Sequence, residues 1–180
     1  MSESADPDAR PAPIGGRRRT IAVLLVVVAA IVTGLAAAAL PAALRKLILL
    51  PVLLGLAGGG VVFGVEQLTD TPLRSVVAAL AALVILLTYA AAGSRALARQ
   101  AEAELAANPM AKLLLDQVRT DPAAAALDRP GPLPTWLQWR AKPLTGDAVA
   151  LPVAAGLFML ETALAIAAGW GLHGRLSGGR

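Results

Sequence analysis

Four apolar runs, at 20–40, 47–65, 73–93 and 148–172, are separated by polar punctuation along this chain. A helix of about 20 residues crosses the roughly 30 Å hydrocarbon core of a bilayer, and each run is close to that length or longer. Apart from Arg74 at the edge of the third run, only the fourth contains an ionisable residue, Glu161. The insertion signal is therefore nearly uninterrupted, and each run is predicted to be a transmembrane helix. Asp70 and Thr71 ahead of Pro72 resemble an N-cap followed by proline at the first helical position. Asp147 takes the same role before the fourth run.

The remaining segments differ in kind. Residues 1–19 form a polar, basic N-terminal tail, and its first 16 residues have too little apolar content to offset their ordering entropy, so disorder is expected there. Region 94–147 is expected to lie outside the membrane. Helical pattern continues from the third run through Arg95, Arg99, Glu102 and Glu104 to Ala107, after which Asn108 and Pro109 look like the cap and first residue of a new helix reaching Arg119. Met110, Leu113, Leu114 and Val118 fall on one face of it, opposite Lys112, Asp116 and Arg119, which predicts an amphipathic segment packed on the bundle or lying in the interface. Pro130, Pro132, Pro134 and Pro143 predict an extended chain over 129–143.

Composition agrees with a membrane fold. The chain is 57% hydrophobic, above the roughly 45–50% of soluble domains, so it has too little polar surface to cover itself in water. The apolar content is Ala, Leu and Val with few aromatics, which suits closely packed helices better than a barrel with aromatic girdles. The fold class is therefore all-α: a polytopic membrane bundle of about four helices with one longer extramembrane loop. No cysteine occurs, which excludes disulfides, thiolate metal sites and cysteine nucleophiles. The net charge of +4 comes without a basic patch interleaved with aromatics, so no nucleic-acid partner is expected and anionic headgroups account for the basic excess. Arg17, Arg18 and Arg19 before the first run imitate a cleaved signal peptide or a twin-arginine signal, but the run exceeds the 7–15 residues of a signal core, and three more spans follow.

Charge does not settle orientation. With four spans, the N-tail, Arg74 and the C-terminus place seven Lys and Arg on one side, while Arg45, Lys46 and region 94–147 place nine on the other. Arg17–Arg19 point the first helix outward from the cytoplasm, whereas Arg45 and Lys46, and later Arg95 and Arg99, point region 94–147 into it. A first run folded back as a hairpin at Gly34 would remove the conflict, at the cost of unpaired backbone in lipid. Four spans with region 94–147 in the cytoplasm is the expectation.

Glu161 lies near the middle of the fourth run, where an acidic side chain costs about 2.5–3.5 kcal/mol on insertion scales and should face protein. No Lys or Arg lies deep inside another span, so its expected partners are the hydroxyls of Thr33, Thr88 and Tyr89, with the carboxyl a neutral hydrogen-bonded brace. On that reading Glu161→Gln is tolerated and Glu161→Ala is not. Ala154, Ala165 and Ala168 share its face. In the second run Gly55 and Gly59, and Gly60 and Gly64, form two GxxxG pairs with Gly58 between them, predicting close helix contact within the bundle or between copies. Trp136, Trp139, Arg140 and Lys142 before the fourth run, and Trp170 near its end, read as interfacial anchors. His173, the lone histidine, reads as an interfacial residue more readily than as a haem or pigment ligand.

No carboxylate pair, nucleophile–base set or metal-ligand spacing occurs, so neither catalysis, a cofactor nor a metal is expected. The expected role is that of a non-catalytic accessory, assembly or structural subunit in a bacterial inner membrane, with the bilayer and a protein partner or further copies as its contacts. The alternative is a small transporter or channel component that uses Glu161.

Overall fold

A computed structural model of the chain describes residues 14–40, 49–108, 110, 113, 131–145 and 149–178, with backbone alone for residues 14, 15 and 142–145. These residues are 90% helical, in five helices and with no strand among them. The helices are α1 (Ile14–Ala38), α2 (Leu50–Thr69), α3 (Ser75–Ala107), α4 (Pro132–Thr145) and α5 (Leu151–Ser177). All except α4 are long and apolar enough to cross a membrane.

Helix α3 is the centre of the bundle and packs against each of the other four, while α2 also packs along α5 and α1. Its buried residues Ala78, Ala81, Ala82, Ile85, Leu86, Tyr89, Ala90 and Gly93 recur every three or four positions and make one broad face. The face α1 turns to it is narrower and built from small residues, with Ala22, Val26, Ala30 and Ala37 buried. Lipid tails are as apolar as these side chains, so the gain from the contact is close van der Waals packing rather than escape from water.

Several contacts fix the relative directions of the helices. Gly34 of α1 lies against Ile85 and Thr88, while Arg19 and Val23 lie beside Leu73 and Val77, so α1 runs parallel to α3. Gly55 and Gly59 of α2 meet Ala165 and Gly169 of α5, making that pair parallel as well. The start of α1, the α2–α3 loop and the end of α5 therefore share one end of the bundle, and α4 with the last turns of α3 shares the other. Single cysteines at Ser177 and Ala107, in a chain with none of its own, test this. In intact cells the first is expected to react with an impermeant thiol reagent and the second to be protected. Equal labelling would contradict the four-span arrangement, and the reverse pattern would put the Arg17–Arg19 end inside.

Five expectations can be set against these helices. First, α1 begins at Ile14, so Arg17–Arg19 belong to its first turns rather than to a tail, and it runs unbroken through Gly34 instead of turning there. Gly34 serves packing: a Cβ on it would stand 2.6 Å from the Ile85 carbonyl oxygen. Residues 1–13, including most of the expected disordered tail, lie outside the described residues.

Second, Asp70 does not cap α3. It ends α2 in the left-handed region, with φ of 48°, and α3 starts after Arg74. Asp147 lies outside the described residues. Third, Asn108 closes α3, its N–H donating to the Leu105 carbonyl, and its own backbone is extended, as the cap of a helix opening after it requires. Of the amphipathic segment only Met110 and Leu113 are described; both are helical and exposed, so at these positions the apolar face is not packed on the bundle.

Fourth, the proline-rich stretch is not extended, because Pro132–Thr145 is α4. Pro132 and Pro134 stand in its first turn, where N–H groups have no intrahelical acceptor and proline removes nothing, and Pro143 falls only in the last turn. Fifth, only half of the glycine face is used. A Cβ on Gly55 would run into the Ala165 backbone, one on Gly58 would lie 2.9 Å from Ala82 N, and one on Gly59 would lie 2.6 Å from the Gly169 carbonyl oxygen. Gly60 and Gly64 have nothing within 4 Å. An α-helix turns every 3.6 residues, so two successive GxxxG pairs, the second starting five residues after the first, face about 140° apart and cannot meet the same neighbour.

Candidate functional site

Two buried polar centres occur among the described residues, one in each half of the bundle. The first is built around Arg140. Helix α4 lies against α3 and α5 and buries Trp136 between them; a Cβ on Gly93 would fall 2.7 Å from the indole nitrogen, so the glycine in α3 makes the room. The indole stands edge-on to Tyr89 at 5.5 Å and to Phe158 at 5.9 Å between ring centroids. One helical turn beyond Trp136, Arg140 is carried into the bundle and is only 7% exposed.

The Arg140 guanidinium donates to the Glu161 carboxylate from Nη2 at 2.9 Å and from Nε at 3.2 Å, and its Nη1 donates to the Tyr89 hydroxyl at 2.9 Å. Its central carbon also lies 5.5 Å from the Tyr89 ring centroid and 5.8 Å from that of Trp136, within cation–π range. Tyr89 lies 14 residues past the start of α3 at Ser75, about 21 Å along it, and Arg95 follows about 9 Å further on. The ion pair is thus inside the apolar part of the span, toward the α4 end. There the attraction is strong because little water screens it, and either charge left alone would be costly. A cavity of about 10 Å³, room for one water at most, adjoins the pair between Leu137, Ala141, Ala154, Leu157 and Phe158.

This geometry corrects the expectations for Glu161 and for the anchors. Glu161 is braced by a cation and not by hydroxyls alone. The partner comes from α4, outside the four apolar runs, and the expectation that region 129–143 is extended had removed the helix that delivers it. Of the hydroxyls, Tyr89 joins through Arg140, whereas the Thr33 hydroxyl donates to its own helix at the Ala29 carbonyl and Thr88 faces Gly34 of α1. Trp136 and Arg140 are core residues rather than interfacial anchors; Trp139 is half-buried against the same core and Trp170 is exposed. The Lys142 side chain lies outside the described residues.

The second centre joins the α2–α3 loop to the end of α5. Glu66 is buried in the last turns of α2, and its Oε1 accepts the Leu73 backbone N–H at 2.6 Å. That bond holds the loop which turns the chain into α3. His173, 1% exposed, places Nε2 3.2 Å from the same oxygen, off the direction of a good hydrogen bond, and Nδ1 3.3 Å from the Ser75 hydroxyl. His173 is therefore a core residue and not an interfacial one. Sequence reasoning missed Glu66 as its neighbour; the available signal was an acidic residue at the end of an apolar helix with a histidine at the matching end of another. Tyr89 lies about 21 Å from Ser75 along α3 and Glu161 about 18 Å from His173 along α5, so the centres are roughly 20 Å apart along the bundle. The glycine contacts of α2 with α3 and α5 lie between them.

Among the described residues no group of three or more His, Asp or Glu side chains is placed to hold a metal ion. No protein-family model, curated protein or solved structure matches this chain.

Proposed function

We propose that the chain is a non-catalytic, multi-pass subunit of a bacterial inner-membrane assembly, contributing a rigid helical platform to its partners. The observation that carries this reading is the closure of the polar centres. Arg140 is taken by Glu161 and Tyr89, and Glu66 by the Leu73 N–H with His173 against it; the cavity beside the first centre is too small for a substrate. Polar groups arranged in this way fix helix register and depth instead of exposing a reactive atom. The outward surface is wide and apolar, with Met159, Leu160, Leu164 and Trp170 exposed along α5. Lipid-facing helices of this kind suit the inner membrane, since outer-membrane spans are β-barrels.

The test is the size and content of particles solubilised from native membranes in mild detergent, with the chain tagged at its native level. The expected particle is well above the 18.3 kDa chain in its micelle and contains a membrane protein, or further copies of the chain, in fixed stoichiometry. A chain that runs alone at single-protomer size, from membranes where it is fully functional, would overturn the reading.

A further inference from the structure

At the bundle end that carries Arg17–Arg19, helices α1 and α3 leave an open groove of about 340 Å³ lined by Arg19, Val23, Leu73, Arg74, Val76 and Val77. That volume is within the roughly 300–1,000 Å³ of small-ligand sites. Four of the six lining residues are apolar. The other two are exposed arginines, and among the described residues neither is paired with a carboxylate. Arg19 directly precedes the apolar run of α1 and Arg74 directly precedes α3, which places both at headgroup depth; Val23 and Val77 lie about one turn deeper, beside the first part of the acyl region. Helix α3 also begins at this mouth without an acidic residue in its first turn or a side-chain cap, so its partial positive charge adds to the two guanidinium groups.

Charge and shape together select the occupant. A soluble phosphate would meet the arginines but leave the valine and leucine walls unused, while a zwitterionic lipid would cover the walls and neutralise the two cations poorly. We infer that this groove binds one anionic glycerophospholipid, its phosphate between Arg19 and Arg74 and an acyl chain along Val23, Val76 and Val77. The site does not depend on whether the chain assembles with partners.

The experiment uses the full chain purified in neutral detergent and mixed with equal amounts of phosphatidylglycerol and phosphatidylcholine, with bound lipid read by native mass spectrometry. Phosphatidylglycerol is expected to be retained preferentially in one copy. Arg19→Gln/Arg74→Gln should weaken that retention about tenfold or more, whereas Arg95→Gln/Arg99→Gln, the same charge change at the opposite end, should leave it intact. Val23→Trp, which fills the groove and keeps both charges, should also reduce occupancy. Because all of these positions except Val77 and Leu73 are solvent- or lipid-exposed, the unfolding midpoints of the variants without added lipid should match that of the parent. Equal retention of the two lipids, or equal loss in the Arg95/Arg99 variant, would overturn the inference. So would retention of glycerol phosphate, added in place of the lipids, as strong as that of phosphatidylglycerol, which would assign the site to a free anion.

Discussion

Replacing Arg140 with methionine is expected to lower the unfolding free energy in detergent by about 3–5 kcal/mol, because Glu161 keeps its place in the bundle and loses its counter-charge. The carboxylate is 14% exposed and takes both guanidinium bonds on one oxygen, so water replaces the lost partner poorly. Glu161→Gln should now cost a comparable amount, in contrast to what the sequence suggests. An amide keeps an acceptor for Arg140, but the guanidinium is left without charge compensation at a depth where it cannot reach water freely. Arg140→Met/Glu161→Leu should recover most of the loss, and with the single Glu161→Leu variant the double-mutant cycle reads the coupling directly. Equilibrium unfolding in mixed detergent and dodecyl sulfate micelles measures all four variants, with Trp136 beside the pair as a fluorescent reporter. A Glu161→Gln protein that unfolds at the parental midpoint would refute the ionic brace. If that same variant were abundant and fully assembled yet behaved in cells as a deletion, the carboxyl would have to carry a proton or cation, and the transport alternative would replace the subunit reading.

Gly55→Leu should be nearly as damaging, at about 3 kcal/mol, the upper end of what overpacking usually costs. The obstacle is the backbone of Ala165 and not the end of a flexible side chain, so α2 and α5 must separate to admit even the first carbon. Gly59→Leu meets the Gly169 carbonyl in the same seam and should behave alike. Gly60→Leu and Gly64→Leu point into open space and should change the unfolding free energy by less than about 0.5 kcal/mol. Melting curves of the four variants decide it: similar losses at all four positions would mean that the seam is misplaced. If the outer pair leaves the melting curve alone but shrinks the detergent-solubilised particle, that face holds a neighbouring chain.

The two expectations differ in how they relate to the linear chain. GxxxG spacing identified α2 as a close-packing helix, since small side chains at that period have few other uses in lipid. Which of the two successive pairs was used required the position of α5. For Glu161, the chain alone indicated that an acid near the centre of an apolar run must face protein. Its partner was hidden because Arg140 lies outside every apolar run, in a segment whose prolines suggested extension. The same segment illustrates why proline counts mislead at helix starts: Pro132 and Pro134 occupy a turn that has no hydrogen bonds to lose. His173 and Glu66 were invisible as a pair for a related reason, being more than a hundred residues apart and adjacent only once α2, α3 and α5 are bundled.

Four helices able to span a membrane, the absence of thiol chemistry and the inward burial of Glu161 follow from the sequence alone, because length, hydropathy and the cost of a charge in lipid are local properties of a segment. The tertiary structure decided the parallel pairing of α1 with α3 and of α2 with α5, the choice of Gly55 and Gly59 over Gly60 and Gly64, and the two buried polar centres. Each of these depends on which segments meet, and a pairwise contact between distant segments has no signature in the period or composition of either one.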